Sequence, residues 1–416
     1  MKDIVEEEWE GYEQGETIHF STDYLNLEAI DGVWVSDPDR HIRRYIRRQL
    51  LGGAGFDSCV HSLMKEFNLS RETSVNYLER FIGKLLDWVP SKLDNAFIAE
   101  QIALFVSELN NNPVEWRVEA WLEGIVIEPE KLELDDGMIL RRLTEEELKS
   151  VKSFVSIYPD ISISPKAPSC ALEFKKKAKS TEEVQPGINR LLNTLRLFQL
   201  GSIGAVRIRY SPQSIIRPRL STGGMSFGKP YKYQLREMDK NQLHEFIELF
   251  PPIFEQLENI ESKKTHLRVA VQRYNDALLH SEAIEQRITL AITCLEALLL
   301  KTREREGLSR RLAQRLALLL ELAGFDVNRV FESTLRAYNI RSDYIHGGEI
   351  DDQDLEKAPE LCKEMLNFAR VALQMLLQRL EEDKVKIIEF MDKALLDDSF
   401  GKKLRKVFAD IVLQTE

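Results

Sequence analysis

The residues best suited to chemistry in this sequence lie in the stretch YNIRSDYIHGG, residues 338–348. Arg341 precedes His346 by five positions, and two glycines follow directly. A histidine with a pKa near neutrality can accept or donate a proton, and a guanidinium can grip two phosphate oxygens while remaining charged. These types suit RNA cleavage without a metal, which needs two proton transfers and positive charge beside the phosphate.

Spacing alone is weak support for such a site. On an ideal helix, five residues turn two side chains about 140° apart and separate them by roughly 7.5 Å along the axis. Gly347 and Gly348 predict a helix end after His346, where an unwound last turn would let Arg341 reach the same cleft. The structural alternative is that His346 interacts with the helix dipole, while Arg341 pairs with Glu296 inside a helical bundle.

Composition limits the classes of protein to which the chain can belong. The 416 residues are 43% hydrophobic and 30% charged, with a net charge of −11, which is enough for two or three globular domains. No apolar run approaches the roughly 20 residues of a membrane span, and the acidic N-terminus is unlike a secretory signal. We therefore expect a cytoplasmic protein, in which only a local basic patch would bind RNA.

Cysteines and histidines give no sign of a metal site or other cofactor. The four cysteines, Cys59, Cys170, Cys294 and Cys362, are far apart, which argues against both zinc and a disulfide scaffold. Cys294 and Cys362 lie in helical apolar patterns, which predicts that they are small core hydrophobes.

The first part of the chain is predicted to be mixed α and β. Residues 56–110 carry helical apolar spacing, with Ser70 and Ser91 as candidate N-caps. Alternating patterns predict strands, and Thr144–Glu147 forms a capping box before a short helix. Pro251 and Pro252 are expected to break the helix that precedes them.

From about residue 264 onward the sequence predicts only helices. We expect a bundle with short loops. Its predicted helices span residues 264–280, 282–302, 308–323, 327–346, 353–382 and 384–396. The fold class is therefore α+β: an N-terminal mixed region of unassigned role, residues 1–260, and a helical domain with a helical tail, residues 261–416.

The stretches RITLAITCLEALLL, LSRRLAQR and RSDYIHGG follow one another between residues 265 and 382. In this order they resemble the Apea-like branch of the HEPN superfamily, small α-helical domains marked by an Arg, a few spacers and a His. The resemblance implies a metal-independent endoribonuclease, often a toxin or antiphage effector, that acts as a homodimer joining two motifs. Some members are catalytically silent, so the alternative is a module that binds a nucleotide, RNA or a protein partner.

The resemblance also implies roles for individual residues. Arg341 and His346 would be catalytic, with Glu296, Ser342 and Asp343 in support. Ser342 stands where many HEPN ribonucleases carry Asn, His or Asp. Asp343, one turn before His346, could orient the imidazole or simply lie on a solvated face. Glu296 is a carboxylate in an apolar stretch and needs a partner, so we expect a structural salt bridge to a motif arginine.

A basic stretch precedes the motif. Residues 301–315 contain six basic and two acidic side chains, a local excess of +4. Arg311 and Arg315 are i,i+4 neighbours, and with Arg310 they are candidate RNA contacts, although a solvated helix face is an equally good interpretation. Residues 1–260 could sense a phage-derived or cellular trigger that releases the HEPN-like dimer.

Overall fold

The computed structural model confirms an α+β fold. Its contacts divide the chain into two compact units, the first comprising residues 1–116, 177–180 and 211–219, and the second comprising residues 117–176, 181–210 and 220–416. The structure describes residues 28–30, 33–35, 54–86, 95–134, 137–149, 170–223, 231–259, 265–279 and 283–415.

Among its described residues, the first unit contains an antiparallel pair, β1 (Glu28–Ile30) and β2 (Val33–Val35), and three helices. The helices are α1 (Ala54–Phe67), α2 (Arg71–Leu86) and α3 (Asn95–Leu109).

The core of the first unit joins these helices to residues 211–219. The rings of Phe81 and Phe105 stack with centroids 4.8 Å apart, and Ile215 and Ile216 pack into the same apolar cluster. Ser70 caps α2 as predicted, because its Oγ accepts a hydrogen bond from the Thr73 amide at 3.1 Å. The other predicted cap, Ser91, lies outside the described residues.

Most strands of the second unit form in the stretches that the alternating patterns predict, but two short strands, Leu220–Gly223 and Tyr233–Leu235, lie outside those stretches. These strands are β3 (Val114–Glu123), β4 (Ile125–Ile127), β5 (Lys131–Glu133), β6 (Ile139–Arg142), β7 (Cys170–Ala178), β8 (Gly204–Pro212), β9 (Leu220–Gly223) and β10 (Tyr233–Leu235). The main sheet has the order β5-β6-β7-β3-β8-β9, and β4 pairs separately with β10 in parallel. Thr144 and Glu147 make both hydrogen bonds of the predicted capping box, at 2.8 and 3.3 Å.

The six helices predicted between residues 264 and 396 begin and end close to the predicted residues. Aspartates at four N-caps, 326, 351, 383 and 397, accept hydrogen bonds from the first-turn amides that lack helical partners. The helices of the second unit are α4 (Thr181–Phe198), α5 (Lys240–Asn259), α6 (Thr265–Leu279), α7 (Ile284–Leu299), α8 (Leu308–Glu321), α9 (Val327–His346), α10 (Asp352–Leu377), α11 (Lys384–Ala394) and α12 (Asp398–Val407).

Helix α7 lies at the centre of the helical bundle formed by α6–α10. It packs against α6, α9 and α10, and its apolar stripe is buried at Ile288, Ala291 and Leu295, each 0% exposed. Cys294 and Cys362 are also fully buried, which confirms their prediction as core side chains.

The prediction that Pro251 and Pro252 break a helix is wrong. Helix α5 continues through both residues to Asn259, although each proline removes one backbone donor. Phe246, Phe250 and Phe254 are 0–3% exposed. Their neighbouring ring centroids lie 4.9 and 6.4 Å apart. Burial of this aromatic face outweighs the lost hydrogen bonds, so tertiary packing decides the local structure.

The division into units differs from the boundary near residue 260 that the sequence suggests. Helix α4 precedes that boundary, yet it is joined to the bundle by buried hydrogen bonds. The Tyr274 hydroxyl donates to the Arg196 carbonyl at 3.0 Å, and Arg370 Nη1 donates to the Leu197 and Phe198 carbonyls at 3.1 and 2.7 Å. These contacts place α4 and the bundle in one compact unit.

Gly124, between β3 and β4, provides a test of the sheet geometry. Its φ is +79°, and a Cβ added there would lie 2.3 Å from the Ser202 carbonyl oxygen. Gly137 has a similar φ of +74° but nothing within 4 Å of its Cβ position. Gly137→Ala should therefore cost only the conformational penalty of about 1–2 kcal/mol, whereas Gly124→Ala should cost clearly more because the clash is with backbone. Thermal unfolding followed by circular dichroism measures both, and equal losses of Tm would contradict the expected close approach.

Candidate functional site

Helix α9 ends where the two glycines predict, but its last turn stays helical. Gly347 adopts φ +70°, and its amide and that of Gly348 both donate to the Asp343 carbonyl. The predicted unwinding before His346 is therefore wrong, because the helix continues through this residue. Within one chain, Arg341 and His346 retain the separation of about 140° that a regular helix gives.

Arg341 points toward α7. Its Nη2 donates to Glu296 Oε2 at 3.1 Å, and its guanidinium lies 5.2 Å from the centre of the Tyr338 ring. The side chain of Arg341 is 23% exposed. Its Nε is buried and has no hydrogen-bond partner in the part of the chain that the structure describes. The expected salt bridge between Glu296 and a motif arginine is confirmed.

The Glu296 carboxyl is held in a partly dehydrated position between α7 and α9. Burial raises its pKa, against the opposing attraction of Arg341 and a hydrogen bond from Tyr338. Burial also raises the pKa of the Tyr338 hydroxyl, and the neighbouring Glu296 charge adds to that shift. Loss of Arg341 would leave the partly buried Glu296 carboxylate without its cation. Arg341 therefore stabilises the packing of α7 against α9, independently of any role in catalysis.

His346 lies in the last turn of α9 and is exposed. Two apolar neighbours are also exposed, Tyr344 at 43% and Ile345 at 50%. Ser342 and Asp343 are half-buried, and within the described residues the Asp343 carboxylate makes no hydrogen bond to the His346 imidazole. The structure thus places the imidazole at an open helix end, while the role of Asp343 in orienting it remains a prediction.

Arg315 does not have the surface position that an RNA contact requires. Its side chain is 2% exposed, and its guanidinium binds Glu304 at 2.6 and 2.8 Å and Asp392 at 2.7 and 2.9 Å. Nη1 also donates to the Leu299 carbonyl at the end of α7, at 2.9 Å. All three guanidinium nitrogens are thus engaged within the fold, and the predicted phosphate contact is replaced by a structural role.

The rest of the basic stretch remains on the surface. Arg310 is exposed, and Arg311 is 48% exposed with Nη1 3.2 Å from Glu304 Oε1. Arg303 and Arg305 in the preceding loop are exposed as well. The candidate RNA contacts on α8 are therefore reduced to Arg310 and Arg311.

Sequence reasoning missed the residues of α11 that complete this region. Lys384 Nζ donates to the Ala297 carbonyl at 2.6 Å, and burial lowers the pKa of this amine to about 8. Asp392 binds Arg315 from a position 77 residues further along the chain. No local motif signals either contact, because both depend on how α11 packs against the end of α7.

Comparisons with known proteins do not identify the chain. A scan against protein-family models and searches of curated proteins and solved structures each give no match. The described residues contain no group of three or more His, Cys, Asp or Glu side chains arranged to hold a metal ion. Among the described helices, none combines the length and apolar character needed to cross a membrane. The function must be inferred from the residues and their geometry.

The Arg315 cluster predicts a specific dependence of stability on pH. The hydrogen bond from Arg315 is the main cause that lowers the pKa of Glu304 to about 2, from an ordinary value of 4.5. Since the folded-state pKa is depressed, this contribution is present above pH 4.5 and is lost as the pH falls toward 2. Arg315→Gln should therefore reduce stability at pH 7 by about 3 kcal/mol, and by less at low pH.

Urea unfolding of the wild type and the variant from pH 7 down to pH 3 measures this difference. Arg310→Gln, on the exposed side of the same helix, is the matched control and should leave the curve within about 0.5 kcal/mol of the wild type. If the free energies of unfolding of the wild type and Arg315→Gln change with pH in parallel, the pKa of Glu304 does not depend on Arg315.

Proposed function

We propose that this protein is a metal-independent endoribonuclease of the HEPN type, which acts as a homodimer and uses Arg341 and His346. Its biological role would be that of a toxin or antiphage effector, with residues 1–260 responding to a phage-derived or cellular trigger. The proposal is supported by the order of the three HEPN-like stretches and by one structural observation. Arg341 is fixed by Glu296 across α7 and α9, and His346 is exposed at the open end of the same helix.

The two copies would supply what one chain lacks. A single α9 directs Arg341 and His346 to different sides, so one protomer offers one exposed imidazole and a half-buried guanidinium. RNA cleavage needs one group to accept a proton and another to donate one. A C2 dimer that brings two α9 ends together would provide both, with the exposed Tyr344 and Ile345 available for the contact.

The reaction forms a bond between the ribose 2′-oxygen and phosphorus and breaks the bond between phosphorus and the 5′-oxygen. His346 accepts the proton of the 2′-hydroxyl, and His346 of the partner subunit donates a proton to the leaving 5′-oxygen. Arg341 supplies positive charge as the phosphorane-like transition state develops. The products carry a 2′,3′-cyclic phosphate and a 5′-hydroxyl.

A second candidate function is a catalytically silent module that binds a nucleotide, RNA or a protein partner. It is favoured by the unbroken last turn of α9, which keeps the two motif residues apart within one chain. Turnover separates the two functions. An enzyme leaves new cyclic phosphate ends in total RNA incubated with EDTA, and a binding module leaves the RNA intact.

Substitutions at the motif test the catalytic assignment. His346→Ala and Arg341→Ala should each lower cleavage on the order of a hundredfold or more, because they remove a proton carrier and the charge beside the phosphate. Arg341→Lys should recover little activity, because an ammonium lacks the planar two-point grip. Cleavage of labelled RNA, helicity and dimerisation by light scattering are measured on the same samples.

Glu296→Gln is the matched control for the structural role of Arg341. It weakens the same ion pair and should lower Tm, but it leaves the guanidinium in place and should retain cleavage within roughly tenfold. If Arg341→Ala and Glu296→Gln lose stability equally while both cut RNA at the wild-type rate, Arg341 is structural. Fully folded and fully active His346→Ala would defeat the assignment of the histidine.

The surface arginines of α8 give a separate test of RNA binding. If Arg310 and Arg311 each contact a phosphate, changing both to Gln should reduce the slope of log K against log salt by about 1.4, or roughly 0.7 per contact on single-stranded RNA. Lys402→Gln with Arg405→Gln on α12 removes the same charge elsewhere and serves as control. An unchanged slope in the α8 variant would assign these arginines to a solvated helix face.

A further inference from the structure

Residues 411–415 lie along α10 as a segment without regular secondary structure, yet their backbone is held in place. Side chains from two helices bind its backbone amides and carbonyls, which neighbouring strands would bind in a sheet. Gln374 binds the backbone of Gln414 twice: its Oε1 accepts from the Gln414 amide at 2.9 Å, and its Nε2 donates to the Gln414 carbonyl at 3.1 Å.

Gln378 repeats this pattern two residues earlier in the segment. Its Oε1 accepts from the Val412 amide at 2.9 Å, and its Nε2 donates to the Val412 carbonyl at 2.8 Å. The carbonyl of the intervening residue, Leu413, accepts from Gln242 Nε2 of α5 at 3.2 Å. The backbone of residues 412–414 is therefore bound alternately from two sides, as in an extended strand.

The spacing of the two glutamines on α10 fits the backbone of any extended chain. Four residues of α-helix rise about 6 Å, and two residues of extended chain advance about 6.6 Å, so glutamines at i and i+4 meet alternate residues of a strand. The backbone hydrogen bonds use amide and carbonyl groups that every non-proline residue has. The row formed by Gln374 and Gln378 therefore recognises an extended backbone and not a particular side-chain sequence.

The row is also supported by groups outside the segment. Arg370 Nη1 donates to the Leu197 and Phe198 carbonyls as well as to the Gln414 carbonyl, the last at 2.7 Å. Asn367 Oδ1 accepts from Nε and Nη2 of the same arginine at 3.0 and 2.7 Å. Gln374 Nε2 donates to the Leu197 carbonyl at 2.6 Å. The bonds to Leu197, Phe198 and Asn367 do not involve residues 411–415, so they hold Arg370 and Gln374 in position independently of the segment.

We propose that the groove formed by Arg370, Gln374, Gln378 and Gln242 is a binding site for extended peptides. Residues 411–415 occupy it in cis, and an external extended peptide can take their place. The ligand is a peptide in extended conformation with no proline at the two positions that pair with the glutamines, which are Val412 and Gln414 in the chain itself. This inference does not depend on the ribonuclease proposal, because it concerns α5 and α10 and not the end of α9.

The test uses the full chain and a fluorescein-labelled peptide of residues 409–415. Val412→Pro in the full chain removes an amide that Gln378 binds, so the cis segment should leave the groove. Fluorescence anisotropy should then show saturable binding of the peptide. Binding to the wild type should be weaker by roughly tenfold or more, because the tethered segment competes at an effective concentration on the order of millimolar.

Three controls sharpen the outcome. The same peptide with proline in place of its valine should not bind. In the Val412→Pro background, Gln378→Ala should weaken binding, whereas Gln353→Ala in the exposed first turn of α10 should not. A folded Val412→Pro chain that binds no peptide would overturn the proposal, as would equal binding of the proline-containing peptide.

Hydrogen exchange on the wild type keeps the proposal testable if Val412→Pro does not fold. The amides of Val412 and Gln414 should exchange through local opening, faster than the buried amides in the middle of α10. If these two amides exchange only by global unfolding, the segment never leaves the groove and the peptide site does not exist.

Discussion

The buried guanidinium of Arg315 joins three parts of the helical domain. It binds the last carbonyl of α7, the carboxylate of Glu304 in the loop that follows, and Asp392 of α11. Glu296 lies one turn before that end of α7 and holds Arg341 of α9. Arg315 therefore binds the end of α7 one turn after the carboxylate that pairs with the candidate catalytic arginine, although it does not belong to the site itself.

The arginines of this region divide into two groups with different physical roles. Arg315 and Arg341 face carboxylates between helices, where charge must be neutralised to be buried. Arg310 and Arg311 lie on the outer side of α8. In a chain with a net charge of −11, only the second group provides a local positive surface. The same helix thus combines a structural ion-pair network with the candidate RNA contacts.

Much of the fold could be predicted because its determinants are local. Helical apolar spacing located α9 and its neighbours to within a few residues, and Gly347 marked the end of α9. The continuation of α5 through Pro251 and Pro252 could not be predicted, because it depends on buried aromatic packing. The burial of Arg315 could not be predicted either, because its partner Asp392 lies 77 residues away along the chain. The pairing of Glu296 with an arginine could be predicted, because a carboxylate among leucines requires a cation.

Arg370 has a consequence for the order in which the chain folds. One nitrogen of this side chain binds carbonyls 172 and 173 residues earlier, at Phe198 and Leu197, and another carbonyl 44 residues later, at Gln414. Such distant contacts carry a large loop-closure entropy, so they form after the local helices. Until they form, the Arg370 guanidinium must stay hydrated. We therefore expect the final desolvation of α10, and not helix formation, to limit the rate at which this unit reaches its native state.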